Sequence, residues 1–293
     1  MRPGREQNVE KAVGVIGGGI MGCGIAEVAA RSGCDVVLRE VNEELVEVAK
    51  RKLEGSLDTA VRKAKLTQAE RDEIRGRVRF THRIVELADR DLVIEAIIED
   101  LAVKTEIFEL LSRVVRPDTL LASNTSSIPI MQLAAATEHP ERVVGLHFFN
   151  PAPVMPLVEI IACEATSEET LSRAREFAAD QLGKTTITAK DRAGFVVNAL
   201  LIPYLLAAIR MADAGLATAE DIDKGMVGGC GHPMGPLALT DLIGLDTTMA
   251  VAESMYAETK EQLYAPPALL LRKVEAGELG RKSGRGFFSY PKK

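Results

Sequence analysis

Two short blocks of the chain carry side chains able to move a proton: Ser123-Asn124-Thr125-Ser126-Ser127 and Gly145-Leu146-His147-Phe148-Phe149-Asn150-Pro151. A histidine at the carboxyl end of a strand is a candidate base that takes the proton of an alcohol while hydride leaves its carbon. Glu159 lies twelve positions beyond His147, across a Pro-rich turn that can fold it back. A carboxylate on one ring nitrogen would fix the imidazole tautomer and stabilise the imidazolium that forms. Spacing alone leaves two plainer readings open, His147 as a satisfied core histidine and Glu159 as a surface acid.

A third block, KAVGVIGGGIMGCGIA, sets Gly17, Gly19 and Gly22 in a GxGxxG frame directly after an apolar run and before a helical pattern. In that context Gly17 permits the tight turn and Gly19 lets the backbone approach a pyrophosphate. Gly22 allows close helix–strand packing, and the helix N-terminus faces the anion. The next strand ends in Leu38-Arg39-Glu40, which places Glu40 eighteen positions after Gly22. That suits the acid that bonds an adenosine ribose 2′-hydroxyl about 20 residues on. Glu40 therefore favours NAD. Arg39 keeps NADP as the second choice, since an arginine nearby can accommodate a 2′-phosphate.

These residues need a scaffold, and the patterning supplies one. Val13 to Ile16, Val36 to Leu38, Val78 to Thr81, Leu92 to Ile94, Leu120 to Ser123 and Val143 to Phe148 are nearly continuous apolar runs. They alternate with helical patterns, as expected of parallel strands covered on both faces. Ile160 and Thr185 to Thr188 mark two further strands. The serine block and the histidine block then fall at carboxyl ends of strands, the edge where open α/β sheets bind ligands. Between the second and third strands Leu45, Ala49, Leu53, Leu57, Val61 and Ala64 recur at helical spacing. The other face carries Lys50, Arg51, Arg62, Lys63 and Lys65 and reads as solvated. After Asp191 the texture becomes helical, over Phe195 to Ala214, Ala219 to Met226 and Leu237 to Glu258. The run Phe195 to Ile209 reads as a buried helix, and Pro203 should kink it. The expected fold is α/β, a Rossmann-like doubly wound sheet domain over residues 1–190 followed by an all-α domain over 191–293.

Composition bounds the rest. At ~150 residues per domain, 293 residues allow about two domains. The 27% charged and 46% hydrophobic content argues against a disordered or fibrous chain. A net charge of −6 offers no basic excess for nucleic acid. The opening MRPGREQNVEK lacks the apolar core of a signal peptide, and Phe195 to Ile209 is too short and interrupted to span a bilayer. Cys23, Cys34, Cys163 and Cys230 form no CxxC pair, so no metal site or redox pair is expected, and a reducing, cytoplasmic compartment fits.

The glycine block, DLVIEAIIED, LASNTSS, VVGLHFFNPAPVMPLVEII, DRAGFVVNALLIP, GCGHPMGPLALTDLIGLD and the closing GRKSGRGFFSY occur in that order from Val13 to Tyr290. Together they resemble the L-3-hydroxyacyl-CoA dehydrogenase family, most nearly its stand-alone 3-hydroxybutyryl-CoA members. The HFFNP and GHPMGP blocks are specific in a way the glycine loop is not.

The resemblance implies an NAD-binding domain, a helical domain that mediates homodimerisation, and an acyl-CoA substrate between the two. It implies His147 as general acid/base, Glu159 as its partner, and Ser126 as a hydrogen-bond donor to the reacting oxygen beside the nicotinamide. Asn198 would help hold the 3-oxygen or thioester carbonyl. Glu99, Lys104, Asn150 and Lys282 would join Gly17, Gly18, Gly19, Ile20, Met21, Gly22, Glu40 and Ser126 as cofactor contacts. Ser56 and Lys63 would meet coenzyme A. Three positions depart from the family pattern: Pro156 replaces a lysine, Ala193 a proline and Ala199 an arginine. The competing readings are a dehydrogenase of another 3-hydroxy acid and a non-catalytic nucleotide-binding or structural relative. A substrate without coenzyme A has no need of Ser56 and Lys63, and the complete set of His147, Glu159, Ser126 and Asn198 disfavours a non-catalytic relative.

Overall fold

A computed structural model describes residues 11–291. The opening MRPGREQNVE, whose composition bears on a leader, lies outside the described residues. Two compact units divide between Asp191 and Arg192.

In the first unit the apolar runs become β1 (Ala12–Ile16), β2 (Asp35–Arg39), β3 (Val78–Thr81), β4 (Leu92–Glu95), β5 (Leu120–Ser123) and β6 (Val143–Phe148), joined by β7 (Leu157–Ala162) and β8 (Thr185–Lys190). They form one sheet in the order β3-β2-β1-β4-β5-β6-β7-β8. The first six strands are parallel, as the continuous apolar runs predict. β7 runs antiparallel to β6, and β8 parallel to β7. The reason is chain length: only residues 149–156 separate β6 from β7. A parallel return needs a crossover of about a dozen residues or more.

α1 (Ile20–Arg31) follows the glycine loop, and its residues from Gly22 to Ala30 are buried. The connection from β2 to β3 holds two helices rather than the single pattern that stood out. α2 (Glu43–Arg62) buries Val46, Ala49, Leu53, Leu57 and Ala60, and α3 (Gln68–Gly76) opens with a Thr67/Glu70 capping box. Ala64, at a φ of 54°, turns the chain between them. α4 (Leu101–Val114), α5 (Ile130–Ala134) and α6 (Glu168–Arg175) complete the unit. The first two N–H groups of α5 donate to the Asp191 carboxylate at 2.8 and 2.7 Å.

The second unit is helical: α7 (Val197–Asp213), α8 (Ala219–Cys230), α9 (Pro236–Ile243), α10 (Leu245–Thr259) and α11 (Ala268–Glu275). Its core gathers Ile202, Leu206, Ile209, Leu237, Leu245, Ala252, Met255 and Leu270. Three expectations change here. The Leu237 to Glu258 run is two helices, because Gly244 at a φ of 105° breaks it. α7 starts at Val197 rather than Phe195, whose φ of 48° is left-handed. The greasy run is also not wholly buried, since Leu200 is 73% exposed.

Two buried aspartates organise the turns of this unit. Asp223 accepts from the Leu237 and Ala238 amides at the start of α9. Asp241 accepts from Phe287 N, Phe288 N and Tyr290 Oη, which ties down the closing segment. Among the described residues no helix is long and apolar enough to cross a membrane. Cys23, Cys34 and Cys163 are buried, and Cys230 is exposed.

Candidate active site

The order β2-β1-β4 makes the β1/β4 junction the point where connections diverge to opposite sides, and the loops beyond the carboxyl ends of β1, β4, β5 and β6 gather along that edge. The glycine loop leaves β1. Gly17 has a φ of 97°, and a Cβ there would stand 2.6 Å from the Ala96 carbonyl oxygen. A Cβ on Gly22 would stand 1.8 Å from the Gly17 carbonyl oxygen, so this glycine packs α1 chiefly against its own loop. A Cβ on Gly19 would meet nothing within 4 Å, leaving the backbone open on that side. Ile20, Met21 and Gly22 supply the first N–H groups of α1, and no acidic residue sits in that turn to compete for them. Glu40 meets this loop: its Oε1 accepts from Gly18 N at 2.6 Å.

The histidine and its acid are brought together by sheet register. His147 in β6 pairs directly with Glu159 in β7, so both side chains leave the same face. Nδ1 of His147 lies 2.7 Å from Glu159 Oε2, and Nε2 lies 3.0 Å from Ser126 Oγ. An ionised carboxylate is acceptor-only, so Nδ1 donates to it, and the Nε2 lone pair of the neutral ring faces the Ser126 hydroxyl. His147 is 4% exposed and Glu159 fully buried. The Phe149 ring packs 4.6 Å from the imidazole, centroid to centroid. Glu159 is therefore a buried acid paired with His147 rather than a surface one, and His147 is itself buried with both ring nitrogens hydrogen-bonded.

The Ser126 loop is held from below. Asn124 Oδ1 accepts from Phe148 N at 2.8 Å, which links the ends of β5 and β6. Glu99 Oε1 accepts from Thr125 Oγ1, Ser126 N, Ser127 N and Ser127 Oγ. Burial pushes the Glu99 carboxyl up, but the Lys104 ammonium and the hydrogen bonds from Thr125, Ser126 and Ser127 outweigh it and hold the group below the usual carboxylate range. Lys104 is 1% exposed, with its ammonium 2.6 Å from Glu95 and 3.3 Å from Glu99. Sequence reasoning passed over Glu95, although an acid closing the apolar run Leu92-Val93-Ile94 was the available signal.

The remaining candidates are more dispersed. Asn150 is exposed just past β6. Ser56 on α2 and Lys63, which caps its C-terminus, are both exposed. In the second unit Asn198 is half-buried in the first turn of α7, and Lys282 pairs with Asp246 at 2.5 Å. One of the three departures has a local account. The Ala193 amide donates to Glu258 Oε2 at 3.0 Å, a bond that proline cannot make. Near Pro156, Lys184 Nζ donates to the carbonyls of Ala152 and Met155 at 2.8 Å each. Nothing in the structure explains Ala199.

Comparison with known proteins gives the family of the chain. Residues 12–192 match the family described as 3-hydroxyacyl-CoA dehydrogenase, NAD binding domain, and residues 194–290 match 3-hydroxyacyl-CoA dehydrogenase, C-terminal domain. A 3-hydroxybutyryl-CoA dehydrogenase of Mycobacterium tuberculosis is 57% identical over 279 residues, covering 95% of this chain and 98% of that protein. The crystal structure of M. tuberculosis FadB2 superposes with a TM-score of 0.96 at 56% identity, covering 97% of this chain and 100% of that one. The (S)-3-hydroxybutyryl-CoA dehydrogenase PaaH1 of Ralstonia eutropha superposes with a TM-score of 0.90 at 43% identity, covering 96% and 99%.

Proposed function

The chain belongs to the 3-hydroxyacyl-CoA dehydrogenase family, and from that premise we propose the following account of its reaction, its site and its substrate. It is an NAD-dependent oxidoreductase acting between the C3 alcohol of a (3S)-3-hydroxyacyl-CoA and the ketone of the 3-oxoacyl-CoA. Residues 1–190 form the NAD-binding domain and residues 191–293 the helical substrate and dimerisation domain. A short acyl chain, 3-hydroxybutyryl-CoA or acetoacetyl-CoA, is the substrate, supported by the names of two similar proteins.

The residues fit the cofactor. The open face at Gly19 leaves room for a pyrophosphate, the first N–H groups of α1 are donors for it, and Glu40 stands against the loop where a ribose diol belongs. A carboxylate there repels a 2′-phosphate, which favours NAD over NADP. When bound, NAD supplies the acceptor of the C3 hydride. Glu99, Lys104, Asn150 and Lys282 complete the contacts assigned to it, and Ser56 and Lys63 those assigned to coenzyme A.

The observation that carries the mechanism is the placement of His147 between Glu159 and Ser126. His147 Nε2 takes the proton of the C3 hydroxyl, and Glu159 compensates the charge that appears on the ring. The Ser126 hydroxyl and Asn198 hold the reacting oxygen. In reduction His147 returns the same proton. A homodimer is the working form that the family resemblance implies. A cytoplasmic location accords with cysteines that form no CxxC pair and the absence of a membrane-spanning helix among the described residues.

The test is direct: NADH oxidation with acetoacetyl-CoA and with longer 3-oxoacyl-CoAs, repeated with NADPH. Turnover is expected with NADH and to be fastest on the short thioester. No turnover on any thioester would end this reading, and a preference for NADPH would overturn the role of Glu40. The glycine loop has its own test. Gly22→Ala drives a methyl into the Gly17 carbonyl, an overpacking of about 1–3 kcal/mol. NADH fluorescence titration should show binding weakened by roughly 10-fold or more, and unchanged affinity would count against the loop as the pyrophosphate site.

A further inference from the structure

β4 closes on a carboxylate where its pattern is otherwise apolar, and Glu95 has no exposed surface. A buried charge persists only when opposite charge and hydrogen bonds meet it. Here Oε1 accepts from Lys104 Nζ at 2.6 Å and from Ile97 N at 2.7 Å, while Oε2 accepts from Ser123 Oγ at 2.6 Å. A well-packed apolar side chain would serve the sheet core as well as this ion pair does. The carboxylate's bonds run instead toward the segments that leave the carboxyl ends of β4 and β5.

Two arms lead from Glu95 to one loop. In the first, Ser123 Oγ donates to Glu95 and accepts from Thr125 N at 3.1 Å. In the second, Lys104 bridges Glu95 and Glu99, and Glu99 Oε1 accepts from Thr125 Oγ1 at 2.5 Å and from Ser126 N at 2.9 Å. Both arms end on the residues that present the Ser126 hydroxyl to His147 Nε2. We propose that Glu95 is a positioning residue for the reaction, acting through Ser123 and the Lys104–Glu99 pair to hold Ser126 in line with His147. The proposal rests on the dehydrogenase reading above. Ser126 belongs to a short loop rather than a helix or strand, so its aim depends on these anchors. A displacement of about 1 Å at such a position costs on the order of 10² in rate.

The experiment compares Glu95→Gln and Ser123→Ala, each made alone and combined with Ser126→Ala, by steady-state kinetics with acetoacetyl-CoA, NADH titration and thermal unfolding. In the wild-type background, folded Glu95→Gln is expected to lose about 10–100-fold in kcat at saturating NADH, beyond any change in NADH Kd passed on through Lys104 and Glu99. In the Ser126→Ala background the same substitution should add less than about threefold, because the group it positions is gone. Should Glu95→Gln fail to fold, Ser123→Ala carries the test, with roughly a 3–10-fold loss in kcat that likewise vanishes beside Ser126→Ala. Wild-type kcat in the folded variants, a loss confined to the NADH Kd, or a full loss that persists without the Ser126 hydroxyl would each overturn the proposal. Turnover by the wild-type enzyme tests the dehydrogenase reading separately: its absence overturns both, whereas its presence with additive variants overturns the positioning role alone.

Discussion

His147→Gln is expected to leave a folded protein that binds NADH normally and turns over about 10²–10⁴-fold more slowly, the usual contribution of a positioned general base. The glutamine matches the imidazole roughly in length and retains polar groups for Glu159 and Ser126, which lie 2.7 and 3.0 Å from the ring nitrogens. What it lacks is a lone pair that can take and keep a proton. The glycine loop and Glu40 are untouched, so an NADH titration should overlay that of the wild type while kcat for acetoacetyl-CoA reduction collapses. Near-normal turnover in the variant would remove His147 from the mechanism.

Glu159→Gln should lower kcat by a comparable factor, about 10²–10⁴, through a different cause. The amide keeps the shape of the carboxylate in a site with no exposed surface. It no longer requires the proton to reside on Nδ1, and it offers no negative charge to the imidazolium that forms as the alcohol is deprotonated. Beside a neutral ring the substitution strands no charge, so the Tm should stay close to that of the wild type while the rate falls. The double variant with His147→Gln should cost little more than the worse single change, since the two act as one unit. Independent, multiplying effects would show that the two residues do not form a pair, as would a wild-type kcat in Glu159→Gln.

The glycine loop was the most legible part of the site because its chemistry is local. Gly17 and Gly22 are required by contacts within the loop and with the adjacent strand, and Glu40 follows at the offset that one βαβ unit imposes. The strand ends were legible for a related reason: continuous apolar runs specify buried parallel strands, and those place the Ser126 loop and the end of β6 that carries His147 on one edge. Lys104 was singled out only by the family resemblance, as a cofactor contact, and its burial between two acids was not legible. Read along α4 it is one more charge on a helix, and only the packing of that helix over β4 reveals that its ammonium is enclosed by Glu95 and Glu99. Lys282 was read as a cation for a ligand, and in the second unit its ammonium is engaged by Asp246. Gly244 broke a helix that apolar periodicity made continuous, since a φ of 105° cannot be anticipated from the pattern of its neighbours.

By itself the sequence determined the kinds of atoms available, the nucleotide loop, the strand–helix alternation and the ends of strands from which ligand-facing residues project. All of these are set by interactions within one element or between neighbours in the chain. The tertiary structure decided which of those residues share a site. His147 and Glu159 meet because the chain returns through residues 149–156 as an antiparallel strand in one particular register, and a slip of one residue would turn the acid to the opposite face. Separation along a chain is not separation in space, and the side chains that bring a proton to and from the substrate depend on the latter.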